Sequence, residues 1–192
     1  MRSFSILGDS ISTFDGCNPD GFAVYYQGER CEQTSVTSSA DTWWSQVIER
    51  LGGRLLANSS FSGSLVEGAG FPAGNSQERI DALAEDGVQP DVVIVLMGIN
   101  DYGWGGATAQ AAGRGNAVPV ALDLDAIEPH APAAAAPGAI DRFRAAYGLL
   151  LERMRAAYPQ AEVWCCTLCP GRVAGCPSPT FAWNLRGAPF KS

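Results

Sequence analysis

Residues 91–101 read Asp-Val-Val-Ile-Val-Leu-Met-Gly-Ile-Asn-Asp, and this stretch decides the fold class. It opens with the predicted strand 91–97, in which Asp91 is followed by an unbroken, largely β-branched apolar run, and the strand is bounded by Pro90 and Gly98. An unbroken run, unlike one that alternates with polar residues, is typical of a strand covered on both faces, as in a parallel sheet. Three further runs are interpreted as strands of the same sheet, at residues 3–7, 54–57 and 161–167.

Helix-like stretches separate these runs. Apolar residues recur at helical spacing over residues 42–51, 76–86 and 139–158, and Asp41 is expected to cap the first of these helices. Strands that alternate with helices predict right-handed crossovers and a doubly wound parallel sheet with helices on both faces. The sequence therefore predicts a three-layer α/β domain.

Residues 13–40 and 103–138 do not follow this alternation. The second stretch is rich in Ala, Gly and Pro, and we expect it to form a lid or a binding loop, or to be disordered. The chain shows no internal repeat, and its 192 residues are close to the usual size of one domain. We therefore expect residues 1–192 to belong to a single domain.

The charge balance excludes several classes of partner. Thirteen Lys and Arg residues stand against twenty Asp and Glu residues, which gives a net charge of −7. An acidic protein repels phosphate backbones and anionic head groups, so we expect no nucleic-acid partner and no membrane partner. No apolar run is long enough for a membrane span, and the N-terminus does not resemble a secretory signal. We expect a cytoplasmic location unless a leader was removed.

The cysteines leave three interpretations open. They number six, four of them late in the chain: Cys17, Cys31, Cys165, Cys166, Cys169 and Cys176. Free thiols suit a domain large enough to fold without disulfides, although a Cys17–Cys31 bridge is an alternative in an exported protein. A metal site built on Cys166, Cys169 and Cys176 is the third interpretation, and Cys165 could not join it because adjacent strand residues face opposite sides. We expect no metal.

Small polar residues follow three of the four predicted strands. They are Gly8-Asp9-Ser10 after the first strand, the 58–64 stretch after the second, and Gly98-Ile99-Asn100-Asp101 after the third. The carboxyl ends of parallel strands share one edge of a sheet, where ligands of such folds bind. Ser10 is a candidate nucleophile, while the Gly63 amide and the Asn100 carboxamide are candidate donors to an oxyanion. These groups together favour acyl transfer.

These three stretches resemble the sequence blocks of the SGNH, or GDSL-type, hydrolases. Gly8-Asp9-Ser10 is similar to the block with the nucleophile, and residues 58–63 are similar to the block whose glycine donates to the oxyanion hole. Gly98-Ile99-Asn100-Asp101 matches the block whose asparagine supplies another donor. The resemblance implies a flavodoxin-like parallel sheet of order 2-1-3-4-5. It also implies an esterase, lipase or acylhydrolase that acts on a small-molecule ester substrate and forms a serine acyl-enzyme without a cofactor or metal.

The sequence departs from this family in its last block. An Asp-x-x-His pair supplies the base and its orienting acid in the family, and no such pair occurs in the 192 residues. The single histidine, His130, falls after the third predicted strand instead. We expect the chain to be the N-terminal portion of such a hydrolase and its activity to be impaired. Natural loss of the pair and recruitment of His130 as a substitute base are the alternatives.

Several neighbouring residues are candidates for lining the substrate crevice: Asp9, Asp101, Tyr102 and Trp104. Asp9 is also expected to fix its turn by accepting backbone N–H bonds, and Asp101 to do the same for the loop after the third strand. Trp43 and Trp44 are expected to be a core residue and a half-buried surface residue of a helix, not a sugar platform.

A binding protein without catalytic activity is the rival interpretation. In flavodoxin-like proteins the loop after the first strand, here residues 9–13 with their hydroxyl groups, can hold a phosphate group. A carbohydrate-binding protein built on an inactive hydrolase is a further alternative. A dinucleotide enzyme is not favoured, because no Gly-x-Gly-x-x-Gly motif follows a strand.

Overall fold

The computed structural model of the chain describes residues 1–102 and 139–167. In chain order its elements are β1 (Ser3–Gly8), α1 (Glu29–Thr34), α2 (Trp43–Arg50), β2 (Arg54–Asn58), α3 (Gln77–Asp81), β3 (Val92–Leu96), α4 (Ile99–Tyr102), α5 (Ala139–Ala157) and β4 (Glu162–Cys165). Single 3₁₀ turns occupy Ser10–Ser12 and Ser39–Asp41. The expectations for residues 103–138, for a fifth strand, and for Cys169 and Cys176 lie outside the described residues.

The four strands form one parallel sheet of order β2-β1-β3-β4. This confirms the α/β class and the strand order. Phe4 and Gly8 of β1 lie opposite Val92 and Leu96 of β3, so the two central strands run in register along their whole length. All six residues of β1 are buried, as are the first four of β3, as the unbroken apolar runs predicted.

Two apolar clusters cover the two faces of the sheet, because neighbouring strand residues point to opposite sides. On one face α3 and α5 pack over the sheet through these buried residues: Leu7, Val66, Ile80, Leu83, Val93, Val95, Met97, Ala146, Tyr147, Leu150, Met154 and Tyr158. On the other face Trp44 and Ile48 of α2 pack over the strand residues Phe4, Ile6, Val92 and Ile94. The chain therefore has three layers, with the sheet between the helices. None of the described helices is long and apolar enough to cross a lipid bilayer.

Two of the predicted helix boundaries differ from those in the structure. Thr42, not Asp41, caps α2, since the Thr42 hydroxyl accepts the N–H of Ser45. Asp41 is instead the last residue of the 3₁₀ turn that precedes α2. Its carboxylate accepts the N–H of Ser38, the residue that caps this turn, at 2.8 Å. The helix predicted over residues 76–86 ends at Asp81, where the bonding changes to tighter turns: the Leu83 and Ala84 N–H groups donate to the carbonyls three residues before them, those of Ile80 and Asp81. Trp44 is buried and Trp43 is half-buried, the reverse of the prediction, because it is the Trp44 ring that packs into the apolar cluster while its indole N–H donates to the Ser12 carbonyl.

The four described cysteines are partly buried, and Cys17, Cys31 and Cys165 are free thiols; the fourth is Cys166. The prediction of free thiols is therefore confirmed for Cys17 and Cys31. Cys165 packs against the α5 side of the sheet and Cys166 against the α2 side, as expected for adjacent residues at a strand end. In the part of the chain that the structure describes, no group of three His, Cys, Asp or Glu side chains could hold a metal ion.

The packing of α5 can be tested with a pair of leucines. Leu150 is 0% exposed and faces the sheet, whereas its neighbour Leu149 is 37% exposed. Leu150→Ala is expected to lower the free energy of unfolding by about 2–5 kcal/mol, because it leaves a cavity between α5 and the sheet. Leu149→Ala is the matched control and should cost less than about 1 kcal/mol. Urea unfolding of both variants measures the difference, and equal losses would contradict the assigned face of α5.

Candidate active site

Three segments extend from one edge of the sheet, where β1, β2 and β3 end. The first segment is residues 9–13, the second is residues 59–64 and the third is residues 98–101. Because β1 pairs in parallel with both β2 and β3, the three carboxyl ends lie side by side. This is the position at which open α/β sheets bind their ligands.

Hydrogen bonds join the second segment to β1 and to the first segment. The Ser59 N–H donates to the Ile6 carbonyl at 2.8 Å, and the Phe61 N–H donates to the Gly8 carbonyl at 3.1 Å. The side-chain amide of Asn58 donates to the Ser12 carbonyl at 2.8 Å. Asn58, at the end of β2, therefore also fixes the 3₁₀ turn that begins at Ser10.

The third segment is joined to the second in the same way. The Asn100 Nδ2 group donates to the Ser64 carbonyl at 3.0 Å. Both carboxylate oxygens of Asp101 accept the Val66 N–H, at 3.1 and 3.0 Å, and the Glu67 N–H donates to one of them at 3.4 Å. Asp101 was expected to hold its own loop, but its carboxylate reaches across to the chain that follows the second segment.

Ser10 is the first residue of a 3₁₀ turn and is half-buried. Asp9 caps this turn, as predicted, with its carboxylate accepting the Ile11 N–H at 3.3 Å. The Ser10 carbonyl accepts two bonds from Thr13, one from the N–H at 3.2 Å and one from the hydroxyl at 2.7 Å. The backbone that carries Ser10 is therefore held on both sides.

Gly8 and Gly63 are glycines for different reasons. A Cβ at Gly8 would lie 2.3 Å from the Ser12 Oγ and 2.9 Å from the Ser60 Oγ, so only glycine lets the two segments approach so closely. Gly63 has a φ of 79°, which disfavours residues with a Cβ, and it is exposed. Within residues 1–102 and 139–167, neither the Ser10 N–H nor the Gly63 N–H donates a hydrogen bond.

Arg79, which the sequence analysis missed, lies beneath this edge with 0% of its surface exposed. Its guanidinium donates to the carbonyls of Gly8, Ser59 and Pro72 at 2.6–2.9 Å. A single arginine in a short helix carries no sequence signal of burial, since arginine is usually exposed.

The site also contains two buried carboxyl groups. Burial raises the pKa of Asp9 to about 7; the neighbouring Asp101 raises it too, while the Ile11 N–H and Arg79 oppose the rise. Burial raises the pKa of Asp101 to about 6, against the lowering effect of its backbone N–H partners. Burial likewise lowers the pKa of Arg79 to about 9, although Asp9 favours its charged form. Near neutral pH the Asp9 carboxyl thus exists in both protonation states.

Comparison with known proteins agrees with this geometry. Residues 2–118 match the family model described as GDSL-like Lipase/Acylhydrolase, and they include all three segments. The chain belongs to the GDSL-like lipase/acylhydrolase family. No curated protein sequence gives a significant match.

Solved structures of GDSL-like proteins share the fold. A candidate GDSL-like lipase from Bacteroides uniformis ATCC 8492 is 27% identical, with a TM-score of 0.58 over 86% of this chain and 70% of that one. A second, from Bacteroides ovatus ATCC 8483, is 22% identical, with a TM-score of 0.51 over 94% of this chain and 91% of that one. The family and the first structure together support a hydrolase that acts on ester bonds.

An aromatic cluster borders the GDSL site and was also missed in the sequence. The rings of Phe22, Phe61 and Phe71 contact one another edge-on or tilted, with centroids 5.2–5.8 Å apart. Phe61 belongs to the second segment, two residues before Gly63, and Phe71 is 44% exposed. The three phenylalanines are spread over 50 residues, so no local pattern announces the cluster.

Some predicted site residues of this GDSL chain stay untested. Trp104 and His130 lie outside the described residues, and of Tyr102 only the backbone, at the end of α4, is described. Asp9 is 1% exposed and Asp101 is partly buried, so both side chains are largely shielded from solvent at this edge of the sheet. That these residues line a substrate stays a prediction.

The raised pKa of Asp9 predicts a pH-dependent stability. A folded pKa of about 7, above the ordinary 3.8, means that the folded state binds the proton more tightly than the unfolded chain. This contribution is complete below the ordinary pKa and is lost as the pH rises through about 7. Asp9→Asn should reduce the loss of unfolding free energy between about pH 5 and about pH 8 by at least about 1.4 kcal/mol, one pKa unit.

Urea unfolding at a series of pH values measures this effect. The exposed Asp20→Asn is the matched control and should follow the wild type at every pH. Asp101, whose pKa is raised to about 6, should leave a smaller pH dependence in the Asp9→Asn variant. An Asp9→Asn curve parallel to that of the wild type would contradict a raised pKa at Asp9.

Proposed function

We propose that the protein hydrolyses carboxylic esters through an acyl-enzyme on Ser10. In this proposal the Ser10 Oγ attacks the ester carbonyl carbon, and the carbonyl oxygen becomes an oxyanion. The N–H groups of Ser10 and Gly63 and the side-chain amide of Asn100 stabilise that oxyanion. The alcohol then leaves, and water releases the acid from Ser10 in a second step.

One observation carries the proposal. The segments with Ser10 and Gly63 are hydrogen-bonded into one edge of the sheet, and in the described part of the chain the two N–H groups donate to no other atom. Free donors held by a rigid backbone are the means by which enzymes stabilise an oxyanion, because no reorganisation is needed as the charge forms. The open space beside Gly63 leaves room for a substrate.

Asn100 fits a third donor. An asparagine amide has two N–H bonds, and the Ser64 carbonyl accepts one of them at 3.0 Å. That bond fixes the orientation of the carboxamide and leaves the second N–H for a substrate oxygen. The same bond ties Asn100 to the residue that follows Gly63 in the chain.

Ser10, Gly63 and Asn100 do not supply a general base to accept the proton of the Ser10 hydroxyl. The sequence contains one histidine, His130, and no Asp-x-x-His pair. Without an imidazole Ser10 stays close to its ordinary, weakly nucleophilic state. We therefore propose that this chain retains the share of catalysis due to the oxyanion donors and binding, roughly 10³–10⁴ over water in serine hydrolases.

Covalent labelling tests the role of Ser10. A fluorophosphonate should form a P–O bond to the Ser10 Oγ with loss of fluoride, and mass spectrometry of peptides would locate the label. Ser10→Ala should remove the label, because the proposal assigns the attacking oxygen to the Ser10 hydroxyl. Ser45→Ala, on α2 and outside the three segments, is the matched control and should be labelled like the wild type. A label on another serine, or none after long incubation, would contradict the proposal.

Hydrolysis of nitrophenyl acetate tests the role of Asn100. Asn100→Ala should lower kcat by about 10²-fold, the usual cost of one oxyanion donor, and change KM by much less. Gln46→Ala removes an exposed amide on α2 and serves as the control. Unchanged kcat in Asn100→Ala would contradict the assigned donor.

The same assay tests the missing base. The wild-type turnover should lie far below that of complete serine esterases, and His130→Ala should leave it unchanged. A fast turnover that both Ser10→Ala and His130→Ala abolish would instead assign the base to His130.

A further inference from the structure

Among residues 1–102 and 139–167, Arg79 is the largest side chain that is completely buried. In the described part of the molecule no carboxylate forms an ion pair with it. The positive charge is instead surrounded by backbone carbonyl oxygens and by the ring of Phe22, whose centroid lies 5.9 Å from the guanidinium carbon. Asp9 is the carboxyl group that acts on the charge from farther away.

The hydrogen bonds of Arg79 connect three separate stretches of chain. Nη2 donates to the Gly8 carbonyl at 2.7 Å, and Gly8 stands two residues before Ser10. Nε and Nη2 both donate to the Ser59 carbonyl, at 2.9 and 2.6 Å, where the second segment begins. Nη1 donates to the Pro72 carbonyl at 2.7 Å, next to Phe71.

Stability alone does not account for this arrangement. Removing a charge from water costs several kcal/mol, and an apolar side chain of similar volume often serves equally well or better. A planar guanidinium, however, has five donors in a fixed fork, which an apolar side chain lacks and a lysine cannot reproduce. Arg79 uses that fork to fix the separation between the Gly8 and Ser59 carbonyls.

We propose that Arg79 is a positioning residue for ester hydrolysis. It holds the backbone before Ser10 and the start of the second segment at one separation, so that the N–H groups of Ser10 and Gly63 converge on the same oxygen. The proposal rests on the proposed function, because it assigns those two groups to the oxyanion. Arg79 itself touches no substrate. Misplacement of reacting groups by about 1 Å can cost about 10² in rate, so the effect of losing the guanidinium should be large.

Two substitutions test the proposal. Arg79→Lys keeps the charge but not the fork, and Arg79→Met keeps much of the volume and removes the charge. Arg153→Lys is the matched control, since the Arg153 guanidinium also donates to a backbone carbonyl, that of Asn75, but contacts neither the first nor the second segment. The measurements are the rate of Ser10 phosphonylation, kcat and KM for nitrophenyl acetate, and thermal unfolding of each variant.

The expected result distinguishes an effect on the reaction rate from an effect on substrate binding and from an effect on protein stability. Folded Arg79→Lys should lose at least about tenfold in kcat and in labelling rate, with KM changed less than about threefold, whereas Arg153→Lys should keep both rates. A variant that is merely less stable, with unchanged kcat at a temperature where it is folded, would overturn the proposal. If Ser10 of the wild type is not labelled at all, the proposed function fails. Hydrogen exchange then tests separately whether Arg79 holds the first and second segments in place.

Hydrogen exchange of the wild type needs no substitution. The Ser59 and Phe61 amides, which bond to β1 beside Arg79, should exchange as slowly as the amides inside β1 and β3. In folded Arg79→Lys they should exchange at least about tenfold faster, while α5 keeps its protection. Fast exchange of these amides in the wild type, or unchanged exchange in Arg79→Lys, would overturn the proposal even if neither variant can be assayed for activity.

Discussion

Parallel pairing of β1 with both of its neighbours is the constraint on which the rest of the structure depends. β1 lies between β2 and β3, so the chain leaves the sheet three times at one edge. The apolar residues of β1 and β3 are buried by helices on both faces, and this burial fixes the register of the central strands. Segments that are about 50 and 40 residues apart in sequence therefore meet without any local contact to guide them.

Much of this frame could be predicted because it follows from local patterns. The unbroken apolar run that became β3 predicted its strand within one or two residues, and the helical periodicity that became α5 was equally clear. Helices were predicted less accurately where few of their residues are buried and apolar. α1 has no buried residue and therefore no apolar stripe to detect, and the helix expected over residues 76–86 extends only over Gln77–Asp81.

The residues of the candidate site also fall into those that a local sequence pattern predicts and those that it does not. Ser10, Gly63 and Asn100 could be named because small polar residues at strand ends are visible in sequence, and the structure joins their segments by hydrogen bonds. Arg79 could not be named. Its burial arises from carbonyls supplied by distant stretches, and a buried arginine without an ion pair is the opposite of what its polarity predicts.

A crystal structure of the protein after reaction with a phosphonate tests the central claim most directly, because the bound phosphoryl oxygen occupies the position of the oxyanion. The account predicts phosphorus on the Ser10 Oγ and an oxygen about 2.7–3.1 Å from the amide nitrogens of Ser10 and Gly63 and from the Asn100 Nδ2. An adduct whose oxygens point into solvent, away from Gly63 and Asn100, would contradict it.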